Sequence, residues 1–172
     1  METDASLRTS NPAVYAAGDV AFPEKYTHAA GASARLCVAN ALDGAGRVAR
    51  DLVIPHCTYT DPEVATVGLT PVRATEEGIA LDTHRLELSK IERAFIDGEE
   101  EGFAALYTRK GTGEIVGATL VAAHAGEMIS KLTLAITNKL SMKALAETVH
   151  CHPTQALVFQ RIALASGKCK EK

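Results

Sequence analysis

The pattern of apolar and polar positions divides the chain into a short front part and a longer back part. The front opens polar, "METDASLRTSNP", then turns apolar in "AVYAAGD". That run is short, apolar and closed by a glycine, which predicts a buried strand. Pro23 breaks the chain into a loop. Thr27 stands where a helix cap is wanted, and "HAAGASARLCVANAL" is helical by its alanine and leucine content. Gly44 and Gly46 mark the end of that helix. Residues 1–50 are thus expected to form one strand–loop–helix unit, which needs neighbouring strands to bury its faces.

The texture changes at "DLVIPHCTYTDPEVATVGLT", where Pro55 and Pro62 punctuate two short β runs, around Cys57–Thr60 and Val64–Leu69. Thr70 followed by Pro71 is a helix start, a cap and then proline in the first turn. The helix "PVRATEEGI" follows, with Gly78 near its end. "LDTHRLELS" alternates as a half-buried strand does. "KIERAFIDGEEEG" is charged and reads as irregular. In "FAALYTRKGTGEIVGATLVAA" two apolar runs flank a glycine-rich turn, which predicts an antiparallel hairpin. Three helices complete the chain: "AGEMISKLTLAITNKL", "SMKALAETV" begun by Ser141, and "PTQALVFQRIALAS" with Pro153 near its first turn. The order is β-α, a boundary near Arg50, then β-β-α-β-β-β-α-α-α. Strands in runs before helices in runs predict an α+β second domain, an antiparallel sheet covered by helices.

Composition narrows the function classes. The chain has 172 residues, 47% of them hydrophobic and 23% charged, which suits a globular domain with a core. Aromatic residues are only 5% and tryptophan is absent, so that core must rest on Ala, Val, Leu and Ile. A formal net charge of −3 offers no basic field to a nucleic acid. No apolar run approaches the ~20 residues that cross a bilayer, and the polar N-terminus does not read as a secretory signal. The cysteines, Cys37, Cys57, Cys151 and Cys169, form no C-x-x-C pair and suggest no disulfide framework, so a reducing cytoplasm is the expected setting.

Three places carry candidate chemistry. At Gly18-Asp19, a glycine at a strand end lets backbone approach a ligand, and the carboxylate can accept hydrogen bonds from sugar-type hydroxyls. The helix that follows presents free N–H groups and the positive end of its dipole. Read without context, the pair is a plain turn acid, followed by a helix-start His at His28. "HCHPT" places His150, Cys151 and His152 in sequence, sound ligand types for zinc or copper but too close together to turn toward one ion. The bland reading of His152 is a surface or helix-capping imidazole. Cys169 lies in the Lys-rich tail "GKCKEK", where positive neighbours would favour its thiolate. Cys37, on the alanine-rich helix, reads as core packing.

Four segments in order resemble one family. "LRTSNPAVYAAGDV" with "YTHAAGASAR" is similar to the closing FAD-binding segment of the pyridine-nucleotide disulfide oxidoreductases, which include dihydrolipoamide dehydrogenase, glutathione reductase and mercuric reductase. "YTDPEVATVGLT" resembles the entry to their C-terminal dimerisation domain. "GEIVGATLVAAHAGEMISKLTLAI" resembles its central hairpin and helix, and "VHCHPTQA" the His-Pro-Thr segment that closes the active site. The "HAGEM" and "PTQA" wording leans toward the mercuric-reductase-like branch.

The resemblance implies a C-terminal portion of such an enzyme: residues 1–50 as the end of an FAD-binding Rossmann-like domain, 51–168 as the dimerisation domain and 169–172 as a polar tail. The opening G-x-G-x-x-G, the redox-active cysteine pair and the nicotinamide-binding unit of the family are not in this sequence. Gly18, Asp19, Val20, Thr27, His28 and Ala29 would face FAD, with Asp19 bonding its ribityl chain. His152 would reach into the partner subunit's active site as acid–base group, and a Glu five positions later would orient it. That position holds Leu157, and neither Gln155 nor Gln160 is at the matching offset. The implied partners are a second copy of the chain, NAD(P)H, and a disulfide or metal-ion substrate. The isolated chain is expected to be inactive and not to retain FAD. Two alternatives are a stand-alone dimerisation module and a thiol–imidazole metal-binding protein.

Overall fold

A computed structural model describes residues 1–167. The chain divides into two compact units, Met1–Ile54 and Pro55–Lys172.

The first unit is built around helix α1, Thr27–Asp43. Its buried positions, Ala29, Ser33, Leu36 and Cys37, recur at the spacing of one helical face. That face packs on Leu7 and Phe22, and Tyr15, Ala17, Ala49, Leu52 and Ile54 close around them. Gly44 ends the helix in the left-handed conformation, with φ 60°. The cap position belongs to Tyr26 rather than Thr27, and no side chain bonds there. The expected strand over "AVYAAGD" is absent. Only an isolated bridge, Arg8 with Tyr15, forms. The reason is local competition. Asp4 Oδ1 accepts the N–H groups of Ser6 and Arg8 at 2.9 and 3.0 Å, and Asn11 Oδ1 accepts that of Ala13 at 3.0 Å. These side chains satisfy the backbone through turns, leaving a ladder of only two further bonds, Thr9 N–H to Val14 O and Ala16 N–H to Leu7 O.

The second unit is the predicted α+β fold. Strands β1 (His56–Thr58), β2 (Glu63–Gly68), β3 (Leu81–Glu87), β4 (Phe103–Arg109) and β5 (Ile115–Ala122) form one antiparallel sheet in the order β1-β2-β5-β4-β3. The hairpin β4–β5 lies at its centre, as the two apolar runs require. Consecutive burial of Ala104, Ala105, Leu106 and Tyr107 means that both faces of β4 are covered. At the β2–β5 junction a Cβ on Gly117 would lie 2.0 Å from the carbonyl oxygen of Leu69, so only glycine permits that backbone approach.

Helix α2, Pro71–Glu76, starts as its sequence predicts, with the Arg73 N–H donating to Thr70 Oγ1 at 3.4 Å and proline in the first turn. Helix α4, Ala125–Thr137, packs on β1, β2 and β5 through Ala125, Met128, Ile129, Leu132 and Ala135. Helix α6, Leu157–Ala165, packs on β3, β4 and on α5, Met142–Glu147. Two expectations are corrected. The stretch read as irregular contains helix α3, Glu92–Asp97, stopped by Gly98 at φ 71°. The last helix begins at Leu157, so Pro153 sits in the loop before it, after a cis peptide bond from His152. Among the described residues no helix is long and apolar enough to cross a membrane.

Candidate functional site

In the first unit, Gly18 to Val20 form a single 3-10 turn in which Ala21 and Phe22 donate their N–H groups to the Gly18 carbonyl. Gly18 has φ +70°, and a Cβ there would stand 3.1 Å from the Cβ of Ala30. The turn is therefore pressed onto the first turn of α1 where Gly18 meets Ala30. Ser33 locks this contact from inside. Its hydroxyl is fully buried, accepts the Gly18 N–H at 3.0 Å and donates to the Ala30 carbonyl at 2.9 Å. Lys25 closes the loop from outside through its ammonium group, which donates to the carbonyls of Asp19 and Phe22.

The exposed members of the group are Asp19, Val20, Thr27 and His28, with His28 stacked on Tyr26 at 5.3 Å between ring centroids. Ala29 has no exposed surface, so what it can offer a ligand is its backbone N–H. The surface so formed is a carboxylate acceptor next to the N-terminus of a 17-residue helix, whose first N–H groups have no intrahelical acceptor. Such a donor and acceptor set suits a polyhydroxylated ligand that carries some negative charge. Ser33 and Lys25 were not among the predicted residues. A lone serine within an alanine-rich helical face was the available signal for Ser33.

In the second unit, His152 stands in the loop between α5 and α6 and is exposed. The loop is tied at several points. Gln160 Nε2 donates to the carbonyls of Ala146 at 3.2 Å and Thr148 at 2.8 Å. His150 Nδ1 bonds the Thr148 carbonyl at 2.7 Å, and Thr154 Oγ1 donates to the Cys151 carbonyl at 2.9 Å. Gln155 is buried and its Nε2 donates to Glu99 Oε2. Leu157 is only 6% exposed and belongs to the core. One turn later on the same helix, Arg161 Nη2 reaches Glu92 Oε1 of α3 at 2.8 Å. Glu92 lines an open groove of about 380 Å³ together with Ser89, Lys90, Ile91, Phe95 and Ile96. Its carboxyl lies below the usual range, first through a hydrogen bond from its own backbone N–H, then through the charges of Arg161 and His152.

The metal alternative finds no geometry. His150 turns inward while Cys151 and His152 face solvent, and among the described residues no group of three His, Cys, Asp or Glu side chains could hold an ion. Burial pushes the Cys37 thiol up, as befits a core residue, and does the same for Cys57, where the charge of Glu63 adds to it. Cys169 lies outside the described residues.

The family described as pyridine nucleotide-disulphide oxidoreductase, dimerisation domain, matches residues 54–163. The chain is 40% identical to a mercuric reductase of Streptomyces lividans over 153 residues, which is 89% of this chain and 32% of that protein. It is 35% identical to a dihydrolipoyl dehydrogenase of Chlamydia muridarum over 162 residues, 94% of this chain and 35% of that one. Among solved structures, LpdA from Mycobacterium tuberculosis superposes with a TM-score of 0.88 at 27% identity, over 95% of this chain and 36% of the other. The chain thus spans about a third of the length of the relatives it matches.

Proposed function

The chain belongs to the pyridine nucleotide-disulphide oxidoreductases through their dimerisation domain, and from that premise we propose that it acts as the C-terminal portion of an FAD-dependent enzyme. That enzyme would pass electrons from NAD(P)H to a disulfide or to mercuric ion. The observation that carries the reading is the match over residues 54–163 on an antiparallel sheet of matching fold, preceded by the Gly18–Asp19 turn pressed against a helix start. In this reading residues 1–50 are the end of the FAD-binding domain and 51–168 the body of the dimer.

The residues of the first unit fit FAD by their chemistry. Asp19 would accept hydroxyl hydrogen bonds from the ribityl chain, and Gly18 would keep that carboxylate beside α1. The N–H groups of the first turn, with Thr27, His28 and Ala29, would meet the polar edge of the ring system, and Val20 would cover apolar surface. Bound FAD supplies the route by which electrons pass from NAD(P)H to the substrate. His152 would hold or release a proton at the redox thiol of a partner subunit's active site. A second copy of the chain would pair through the second unit, whose exposed apolar side chains include Phe95, Ile96, Leu134, Val149 and Leu164.

This chain alone would not turn over, because the few FAD contacts it carries do not offset the cost of ordering a large ligand. Purified protein is expected to be colourless and dimeric. Absorbance between 350 and 500 nm and light scattering at roughly tens of micromolar, well above the dissociation constant of a stable interface, test this. A monomer at that concentration sinks the dimer reading. A stoichiometric flavin band shows instead that the first unit suffices to hold the cofactor.

A further inference from the structure

The loop that carries His152 is held at both of its ends. Upstream, Gln160 of α6 fastens the end of α5 through the Ala146 and Thr148 carbonyls. Around His152 the chain makes a tight turn, closed by the Thr154 hydroxyl on the Cys151 carbonyl at 2.9 Å. Downstream, Thr154 and Gln155 offer their carbonyls to the Leu157 and Val158 N–H groups at 3.3 and 3.0 Å, which joins the turn to the start of α6. The Gln155 side chain leaves the α5–α6 pair altogether. It is 7% exposed, and its Nε2 donates to Glu99 Oε2, 56 residues away in the sequence. A carboxylate only accepts, so this bond fixes which end of the amide faces Glu99. The described residues give the buried amide oxygen no partner of its own, so the Glu99 bond is what holds this side chain.

Glu99 is itself fixed. It follows Gly98 at the end of α3, and its own N–H donates to the Ala94 carbonyl at 2.8 Å. The oxygen that takes Gln155 also stands 3.8 Å from Nε2 of His124, at the start of α4. The adjacent cation Arg93 is taken by Asp97 at 2.6 Å. One carboxylate oxygen therefore ties the His152 turn to the ends of two other elements of the fold. We propose that Glu99 is a positioning residue for His152, acting through Gln155 on the turn that presents the imidazole. This rests on the reading of His152 as an acid–base group. With its downstream end untied the turn is free to swing, and a misplacement of about 1 Å in a working group can cost up to about a hundredfold in rate.

Nuclear magnetic resonance on the 172-residue chain tests the tie directly. Glu99→Ala removes the acceptor, whereas Glu99→Gln keeps an acceptor oxygen at the same reach. In Glu99→Ala the Val158 amide should exchange about tenfold faster, the scale expected for losing a hydrogen bond to a charged group. The backbone order parameter at His152 should fall from about 0.85 toward 0.6. Glu99→Gln should stay close to wild type in both. Unchanged exchange and an unchanged order parameter in Glu99→Ala overturn the proposal. A second arm reads turnover in the assembled oxidoreductase, where Glu99→Ala should lower kcat about tenfold with the KM for NAD(P)H unchanged, and Glu99→Gln should restore most of the rate. Arg161→Gln opens the ion pair from α6 to Glu92 but spares Gln155, and should stay within about twofold of wild type. An equal loss in Arg161→Gln assigns the effect to stability and overturns the positioning role. If His152→Gln abolishes turnover while Glu99→Ala does not slow it, the role of Glu99 fails alone. If His152→Gln turns over normally, the acid–base reading falls and the role of Glu99 falls with it.

Discussion

Replacing Leu157 by glutamate puts a carboxylate where the family resemblance wants one, and the structure says that it will be costly. Leu157 is 6% exposed at the start of α6, next to the fully buried Val158 and Phe159. Leu157→Gln removes the apolar burial and inserts an amide, together about 2–3 kcal/mol by the usual cost of emptying and repolarising a core site. Leu157→Glu adds the desolvation of a charge, and a carboxyl pKa raised by about two units contributes roughly 2.7 kcal/mol more at neutral pH. Arg161 is one turn away, but an exposed i,i+4 pair returns only about 0.3–0.5 kcal/mol, and Arg161 is already held by Glu92.

The sign follows from linkage. The new carboxyl has a folded pKa above its unfolded value near about 4.3. Its charge penalty is therefore absent below that value, grows as pH rises through the interval between the two, and is constant above it. The Glu and Gln variants should be equally stable near pH 4 and diverge by neutral pH. The assay is urea unfolding followed by circular dichroism at 222 nm, since the chain has no tryptophan to report by fluorescence. A Glu variant within about 0.5 kcal/mol of wild type at pH 7 refutes the reasoning, because a change that small is typical of surface sites. It would mean that the site opens to water and that the leucine is not a structural replacement.

Two other perturbations probe the first unit and the α4 helix. Gly18→Ala forces a left-handed backbone on alanine and sets its methyl 3.1 Å from Ala30. A loss of about 2 kcal/mol is expected, about 30-fold faster exchange at the Leu36 and Cys37 amides, and unchanged exchange there contradicts the packing described. Lys131 is partly buried, and burial lowers its pKa while Cys151 opposes the shift. A lysine with a depressed folded pKa is destabilising while charged, so stability should rise with pH as Lys131 loses its proton ahead of the unfolded chain, below about 10.4. Lys131→Met should abolish that alkaline rise in circular-dichroism melts, and a rise of equal size in the variant assigns it to other groups.

Local signals were read well wherever the chain supplies its own partner. The hairpin was legible because both strands and the turn are contiguous, and Thr70-Pro71 started a helix because capping involves only a few neighbouring residues. The α+β order and the family followed from such pieces. The run "AVYAAGD" misled because an apolar stretch is a strand only beside a partner, and Asp4 and Asn11 drew the backbone into turns instead. Helix α3 was missed because six charged and apolar residues carry too little periodicity, although Gly98 marked its end. Gly18, Asp19 and His152 were visible as residue types in motif order. Ser33 against Gly18, and Arg161 against Glu92, were not, since these contacts join positions far apart in the chain.

Period, turn chemistry and glycine placement act over a few residues, and so the amino-acid order by itself decided most elements of the second unit, the net negative charge and the likeness to a flavoenzyme dimer domain. Which side chains meet is set by the packing of whole elements, a balance of burial and loop closure that no short stretch encodes. That packing buried Leu157, aimed Gln155 at Glu99 and brought Arg161 across to Glu92.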